Sequence, residues 1–168
     1  ITCAPPEGNP CGSGECCLSG ATIQDSTYQS WGCGIAMELN STGGINPVKS
    51  AYSGDADCFE VTLTGSSGNN PVRLGFTQSA TPDVSPFVQV APIDGSWTGT
   101  VCRSDVECPT WATQSQCSSP DDMQDYDLQI QVVGGERASN FDLCLTRVVP
   151  DVLGGGGTGG TGGTGGTG

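Results

Sequence analysis

Apolar and polar residues alternate with a period of two along much of this chain. Ile35, Met37 and Leu39 alternate with Ala36 and Glu38, and Phe59, Val61 and Leu63 with Glu60 and Thr62. Val72, Leu74 and Phe76 are interleaved with Arg73 and Gly75. The pattern returns at Tyr126, Leu128, Ile130 and Val132 and again at Phe141, Leu143 and Leu145, with shorter candidates at residues 87–91 and 97–101. Successive side chains of a strand point to opposite faces, so this alternation predicts strands with one buried face. Clusters of Gly, Pro, Asn and Ser at residues 41–47, 65–71 and 79–86 supply the turns between them. No segment keeps a 3.6-residue period over three turns, although residues 104–116 have room for a single helical turn. Seven or eight strands with polar loops predict an all-β fold, an antiparallel two-sheet sandwich of the jelly-roll type. The loop at residues 134–140 is compatible both with strands that pair and with strands that cross between sheets.

The two ends break the pattern. Residues 1–20 hold four cysteines and three prolines and almost no core-forming side chains. They are expected to form a cross-linked coil, a disulfide-stapled strap lying across the main domain, with a small recognition knob as the alternative. Residues 21–153 form the expected β-sandwich domain. Residues 154–168 read GGGGTGGTGGTGGTG, with Thr158, Thr161, Thr164 and Thr167 at a strict spacing of three. In a polyproline-II helix these threonines would line one edge and leave two edges of bare glycine backbone. Such tails can pack side by side through N–H···O=C and Cα–H···O contacts. The same composition also suits a flexible linker, and both readings stand. Collagen is excluded, because the Pro-rich positions it requires are absent.

Charge narrows the partners. Eighteen acidic against five basic residues leave a net charge of −13, which disfavours nucleic acid and anionic membrane surfaces. There is no run of about 18 apolar residues that would span a bilayer. The first residue is Ile1, with no signal-like stretch after it, which fits a processed chain or an excised fragment. Ten cysteines stand at Cys3, Cys11, Cys16, Cys17, Cys33, Cys58, Cys102, Cys108, Cys117 and Cys144. That even count at this density predicts disulfides made in an oxidising compartment, and hence a secreted, extracellular protein. Connectivity stays open, except that adjacent Cys16 and Cys17 should bond to different partners because a vicinal bridge is strained.

Several kinds of chemistry are removed outright. The chain has no histidine, so Ser-His-Asp and Cys-His catalysis and imidazole bases are absent. No phosphate-cradling glycine loop occurs. Carboxylates are abundant, but nothing marks one pair as a glycosidase dyad. The expectation is a protein that is not an enzyme. No cofactor is required, with calcium as the candidate: Asp55, Asp57 and Glu60 form one acidic cluster and Asp121, Asp122, Asp125 and Asp127 another, neither with EF-hand spacing. Solvated surface charge is the favoured reading of both clusters, and Asp127 simply occupies the polar face of its strand. Trp31, Tyr52, Trp97 and Trp111 are candidate sugar platforms, since flat aromatic faces beside polar neighbours suit glycans. Against that stands a role as caps of a core with few large residues. Asn40-Ser41-Thr42 is an N-glycosylation sequon, and the tail threonines are candidates for O-glycans.

Residues 31–150 resemble the galactose-binding-like β-sandwich modules found beside secreted bacterial glycan-degrading enzymes. The likeness is carried by CFEVTLTG (58–65), PVRLGFTQ (71–78), CPTWA (108–112) and YDLQIQVVGGERASNFDLCLTRVVP (126–150). The last of these is similar to the closing strands of such modules, with an aromatic–acid pair at Phe141 and Asp142. The resemblance implies a jelly-roll carbohydrate-binding module, a polysaccharide ligand and Asp142 as a calcium ligand. Residues 1–20 and the number of cysteines depart from that family's pattern. Two functions are therefore expected. One is a structural subunit of an extracellular filament or surface assembly, binding copies of itself through the tail. The alternative is a carbohydrate-binding module tethered by its Gly/Thr segment to an enzyme.

Overall fold

The computed structural model describes residues 2–4, 15–27, 33–38, 56–78, 85–112, 117 and 126–151. Among these residues nine strands follow in order: β1 (Thr2–Ala4), β2 (Cys16–Ala21), β3 (Cys33–Glu38), β4 (Cys58–Ser66), β5 (Val72–Gln78), β6 (Phe87–Val90), β7 (Asp94–Cys102), β8 (Tyr126–Val132) and β9 (Asn140–Asp151). They form a five-stranded sheet, β1-β2-β9-β4-β7, and a four-stranded sheet, β3-β8-β5-β6. Every pairing is antiparallel. With β1 set aside as an added edge, the order 2-9-4-7 over 3-8-5-6 is that of a jelly roll. The protein is thus an all-β, disulfide-rich sandwich.

The period of two becomes the core. Phe59, Val61 and Leu63 of β4 and Phe141, Leu143 and Leu145 of β9 face Val72, Leu74 and Phe76 of β5 and Leu128, Ile130 and Val132 of β8. Phe59 and Phe76 meet across the two layers with ring centroids 5.8 Å apart. In β9 the alternation breaks after Leu145. The register with β4 shifts between Thr62 and Leu63, so Thr146 has no direct partner and Val148 becomes the next side chain to pack against the core. An extra residue of this kind is a β-bulge. The Thr146 hydroxyl uses the gap to donate to the Thr62 carbonyl at 3.2 Å.

The start of the chain differs from the expected coil. β2 lies between β1 and β9, with six residues in register from Cys16↔Leu145 to Ala21↔Asn140. Leu18 is only 7% exposed and belongs to the core. The strand leaves little trace in the sequence because its inward positions are Cys16, Leu18 and Gly20, a single ordinary hydrophobe in CCLSGA. No helix occurs among the described residues: the stretch after β7 makes tight turns, in which Asp105 N–H donates to Cys102 O and Ala112 N–H to Pro109 O, both at 3.0 Å. Residues 134–140 carry the chain from one sheet to the other, since β8 and β9 lie in different layers.

Three bridges join described residues: Cys17–Cys144, Cys58–Cys102 and Cys108–Cys117. The first two link residues directly opposite one another on adjacent strands. Cys16 and Cys33 are disulfide-bonded as well. Because Cys17 bonds to Cys144, the adjacent cysteines do take different partners, as expected. This chemistry is that of an oxidising environment. No helix among the described residues is long and apolar enough to cross a membrane.

Candidate functional site

The outward face of the four-stranded sheet carries an unusual polar side chain. On β5, Val72, Leu74 and Phe76 point into the core, so Arg73 points away from it. An outward arginine is ordinarily solvated, yet Arg73 is only 5% exposed. Two aromatic rings cover it. Its guanidinium carbon lies 4.3 Å from the Phe87 ring centroid and 5.0 Å from that of Trp111. Both distances are within the range of a cation–π contact. Its Nε also donates to the Gln89 side-chain oxygen at 3.4 Å, across the β5–β6 register. Burial pushes the Arg73 pKa down to about 10, a fall opposed by the nearby Asp25 carboxylate. Asp25 is held in place by its N–H, which donates to Gly135 O at 2.7 Å, and by the Thr27 N–H, which donates to its carboxylate at 2.9 Å.

Trp111 forms the outer surface of this stack. It is 39% exposed, and its ring centroid lies 6.1 Å from that of Phe87 at a tilt of 36°. The loop that bears it is fixed at its root. Phe87 N–H donates to Glu107 O at 3.1 Å, Glu107 N–H returns to Phe87 O at 3.3 Å, and Cys108 is bonded to Cys117. Pro109 is buried between the bridge and the Trp111 turn. Gly75 makes the approach of β6 possible. It stands opposite Phe87, where an added Cβ would run into the Pro86 carbonyl oxygen and come within 3.0 Å of Phe87 Cβ.

Beside the ring ledge, β8 presents amides. Gln131 stands opposite Arg73 and donates to the Gln129 side-chain oxygen at 3.0 Å. Further out, β3 contributes only Gly34 and Ala36 opposite those two glutamines. The face is therefore low at β3, amide-bearing at β8 and aromatic beyond β6. That combination can hold a flat polar ligand: an apolar ring surface to stack on, with hydrogen-bond donors and acceptors at the side.

The sequence-derived candidates fall in separate places. Trp97 is on β7 in the other sheet, opposite Leu63, and packs half-buried against the core. Its ring lies over Gly99 of its own strand, where an added Cβ would sit 2.7 Å from Trp97 Cη2. Trp97 and Trp111 thus share no site. Among the acidic candidates, Asp57 pairs with Arg103 at 3.5 Å and Glu60 pairs with Arg147. Asp142 is exposed on β9 opposite Ser19 and Ser66, well along the sheet from Glu60, which stands opposite Val149. No group of three or more metal-ligating side chains occurs among the described residues. Trp31, Tyr52, Asp55, Asn40, Asp121, Asp122, Asp125 and the tail threonines lie outside the described residues, as does the side chain of Asp127. Sequence reasoning missed Arg73, Phe87, Gln89 and the β8 glutamines. Their only signal was an arginine at an outward strand position in a chain with five basic residues. No protein family, curated protein or solved structure matches this chain.

Proposed function

We propose that this jelly roll is a non-catalytic glycan-binding module of a secreted protein, with its ligand lying on the outer face of the four-stranded sheet. The observation that carries this reading is the exposed Trp111 ring, backed by Arg73 and Phe87, with the β8 glutamine amides on the strand beside Arg73. Sugars present apolar C–H faces and equatorial hydroxyls, and this surface offers a partner for each. The net charge of −13 favours a neutral polysaccharide over an anionic one. The bridges support a secreted location, and the galactose-binding-like resemblance supports the ligand class. The filament reading rests on residues 154–168, outside the described residues, and no described feature favours it.

The test is depletion of the full chain from solution by insoluble neutral polysaccharides (β-glucans, mannan, xylan and chitin), with Trp111→Ala and Trp97→Phe alongside. The native chain and Trp97→Phe should be retained by at least one polysaccharide. Trp111→Ala should bind it about tenfold more weakly or worse, as expected for losing a stacking face. Retention of none by the native chain, or equal retention of Trp111→Ala, would sink the proposal.

A further inference from the structure

We propose that Arg73 is a positioning residue: it fixes the Trp111 ring as a ledge and does not itself meet the ligand. The ligand arm of this proposal rests on the glycan reading above; the positioning arm does not. Three observations lead to it. Arg73 is 5% exposed while the ring above it is 39% exposed, so an incoming molecule meets the indole first. The guanidinium lies near two rings, Phe87 on β6 and Trp111 on the disulfide-closed loop, and so ties a loop to a sheet. Its Nε is held by the Gln89 side-chain oxygen at 3.4 Å, and the Asp25 carboxylate adds an attractive charge.

The chemistry favours arginine specifically. A guanidinium is planar and weakly hydrated, so it can stack on aromatic faces while its edge still donates hydrogen bonds. A lysine ammonium at the same place is a compact, strongly hydrated point charge with no planar surface to set against either ring. Exposed tryptophans on loops ordinarily sample several rotamers, and ordering a side chain on binding weakens affinity. A ring already held in place avoids most of that loss.

The experiment uses the full chain labelled with 5-fluorotryptophan, whose Trp111 resonance is identified by its absence in Trp111→Phe. In Arg73→Met the Trp111 resonance should shift and narrow toward that of a mobile indole, while the Trp97 resonance stays in place. Affinity for the polysaccharide that retains the native chain should fall about tenfold, the scale of losing one or two cation–π contacts. Arg73→Lys keeps the charge and should fail to restore either signal. An unmoved Trp111 resonance in Arg73→Met overturns the proposal. So does full recovery in Arg73→Lys, which would make charge alone sufficient. A shifted resonance in a protein that binds no polysaccharide supports the positioning role and refutes the glycan reading instead.

Discussion

Removing the Cys17–Cys144 bridge should separate stability from binding. The two cysteines are 127 residues apart in sequence and directly opposite on β2 and β9. The Cys58–Cys102 and Cys108–Cys117 bonds bypass 44 and 9 of those residues, which leaves an effective loop of about 74. Freeing a loop of that size gives the unfolded chain about 4.5 kcal/mol of additional conformational entropy. The Cys108–Cys117 bridge closes only 9 residues, and the same relation gives about 2.6 kcal/mol. With a urea slope of about 2 kcal/mol per molar, Cys17→Ser/Cys144→Ser should lower the midpoint by about 2 M and Cys108→Ser/Cys117→Ser by about 1.3 M. Binding should show the opposite order. The first pair lies on the five-stranded sheet, away from Trp111, so affinity should be unchanged wherever the variant is folded. The second pair anchors the Trp111 loop, and its loss should weaken polysaccharide binding tenfold or more. Urea titrations at 25 °C under non-oxidising handling, paired with depletion assays, measure both. If the short loop proves the more destabilising, loop entropy is the wrong account. If its removal leaves affinity intact, the disulfide does not hold the ledge.

Three other substitutions follow from specific contacts. Gly75→Val places side-chain carbon against the Pro86 backbone and should cost about 1–3 kcal/mol by thermal unfolding while weakening binding through displaced Phe87. Asn70 is 1% exposed, and its side-chain amide nitrogen lies within hydrogen-bond reach of Thr22 Oγ1, Ser67 O and Ser139 Oγ, tying the β4–β5 turn to the ends of β2 and β9. Asn70→Ala should therefore destabilise by about 2–3 kcal/mol, read by urea unfolding, with affinity unaltered. Arg73→Met should be no less stable than the native chain at pH 7. Burial pushes the Arg73 pKa down to about 10, so keeping the guanidinium charged inside the fold opposes folding and offsets two ring contacts worth about 1–2 kcal/mol. The folded-state pKa is depressed for a cation, so the penalty is fully present below about pH 10 and fades as pH rises above it. The stability gap between variant and native chain should close over that window, as measured by chemical unfolding at each pH.

Much of the sandwich was legible because burial on one face writes a period of two into the sequence. Phe59-Val61-Leu63, Val72-Leu74-Phe76 and Leu128-Ile130-Val132 needed no further information. β2 was not legible, because cysteine and glycine occupy inward positions where valine or leucine would have marked the strand. The bulge in β9 hid Val148 in the same way, by shifting the inward position one residue out of phase. The site was legible only at Trp111. Arg73 occupied a slot where alternation calls for a polar residue, so it fitted the pattern and drew no notice. What sets it apart is the pair of rings above it, and those come from residues 14 and 38 positions away in sequence. Pairing of that range is fixed by strand order and a disulfide, neither of which leaves a local signal.

The two sheets divide the work unequally. Cys17, Cys144, Cys58 and Cys102 all occupy outward positions of the five-stranded sheet and clamp β2 to β9 and β4 to β7. That face is further occupied by Thr62 and Thr98, whose hydroxyls lie 3.1 Å apart, and by the Glu60–Arg147 pair. The four-stranded sheet shares the core but carries its outward residues differently, with small, exposed Gly34 and Ala36 opposite Gln131 and Gln129, and Gly75 packed closely against Pro86 and Phe87. Small residues there sacrifice packing that a purely structural face would use. A buried guanidinium adds a penalty that the staples on the opposite sheet can offset. An arrangement that is locally unfavourable and supported from elsewhere in the fold is what a binding face requires, since its ring and amides must be held ready before any ligand arrives.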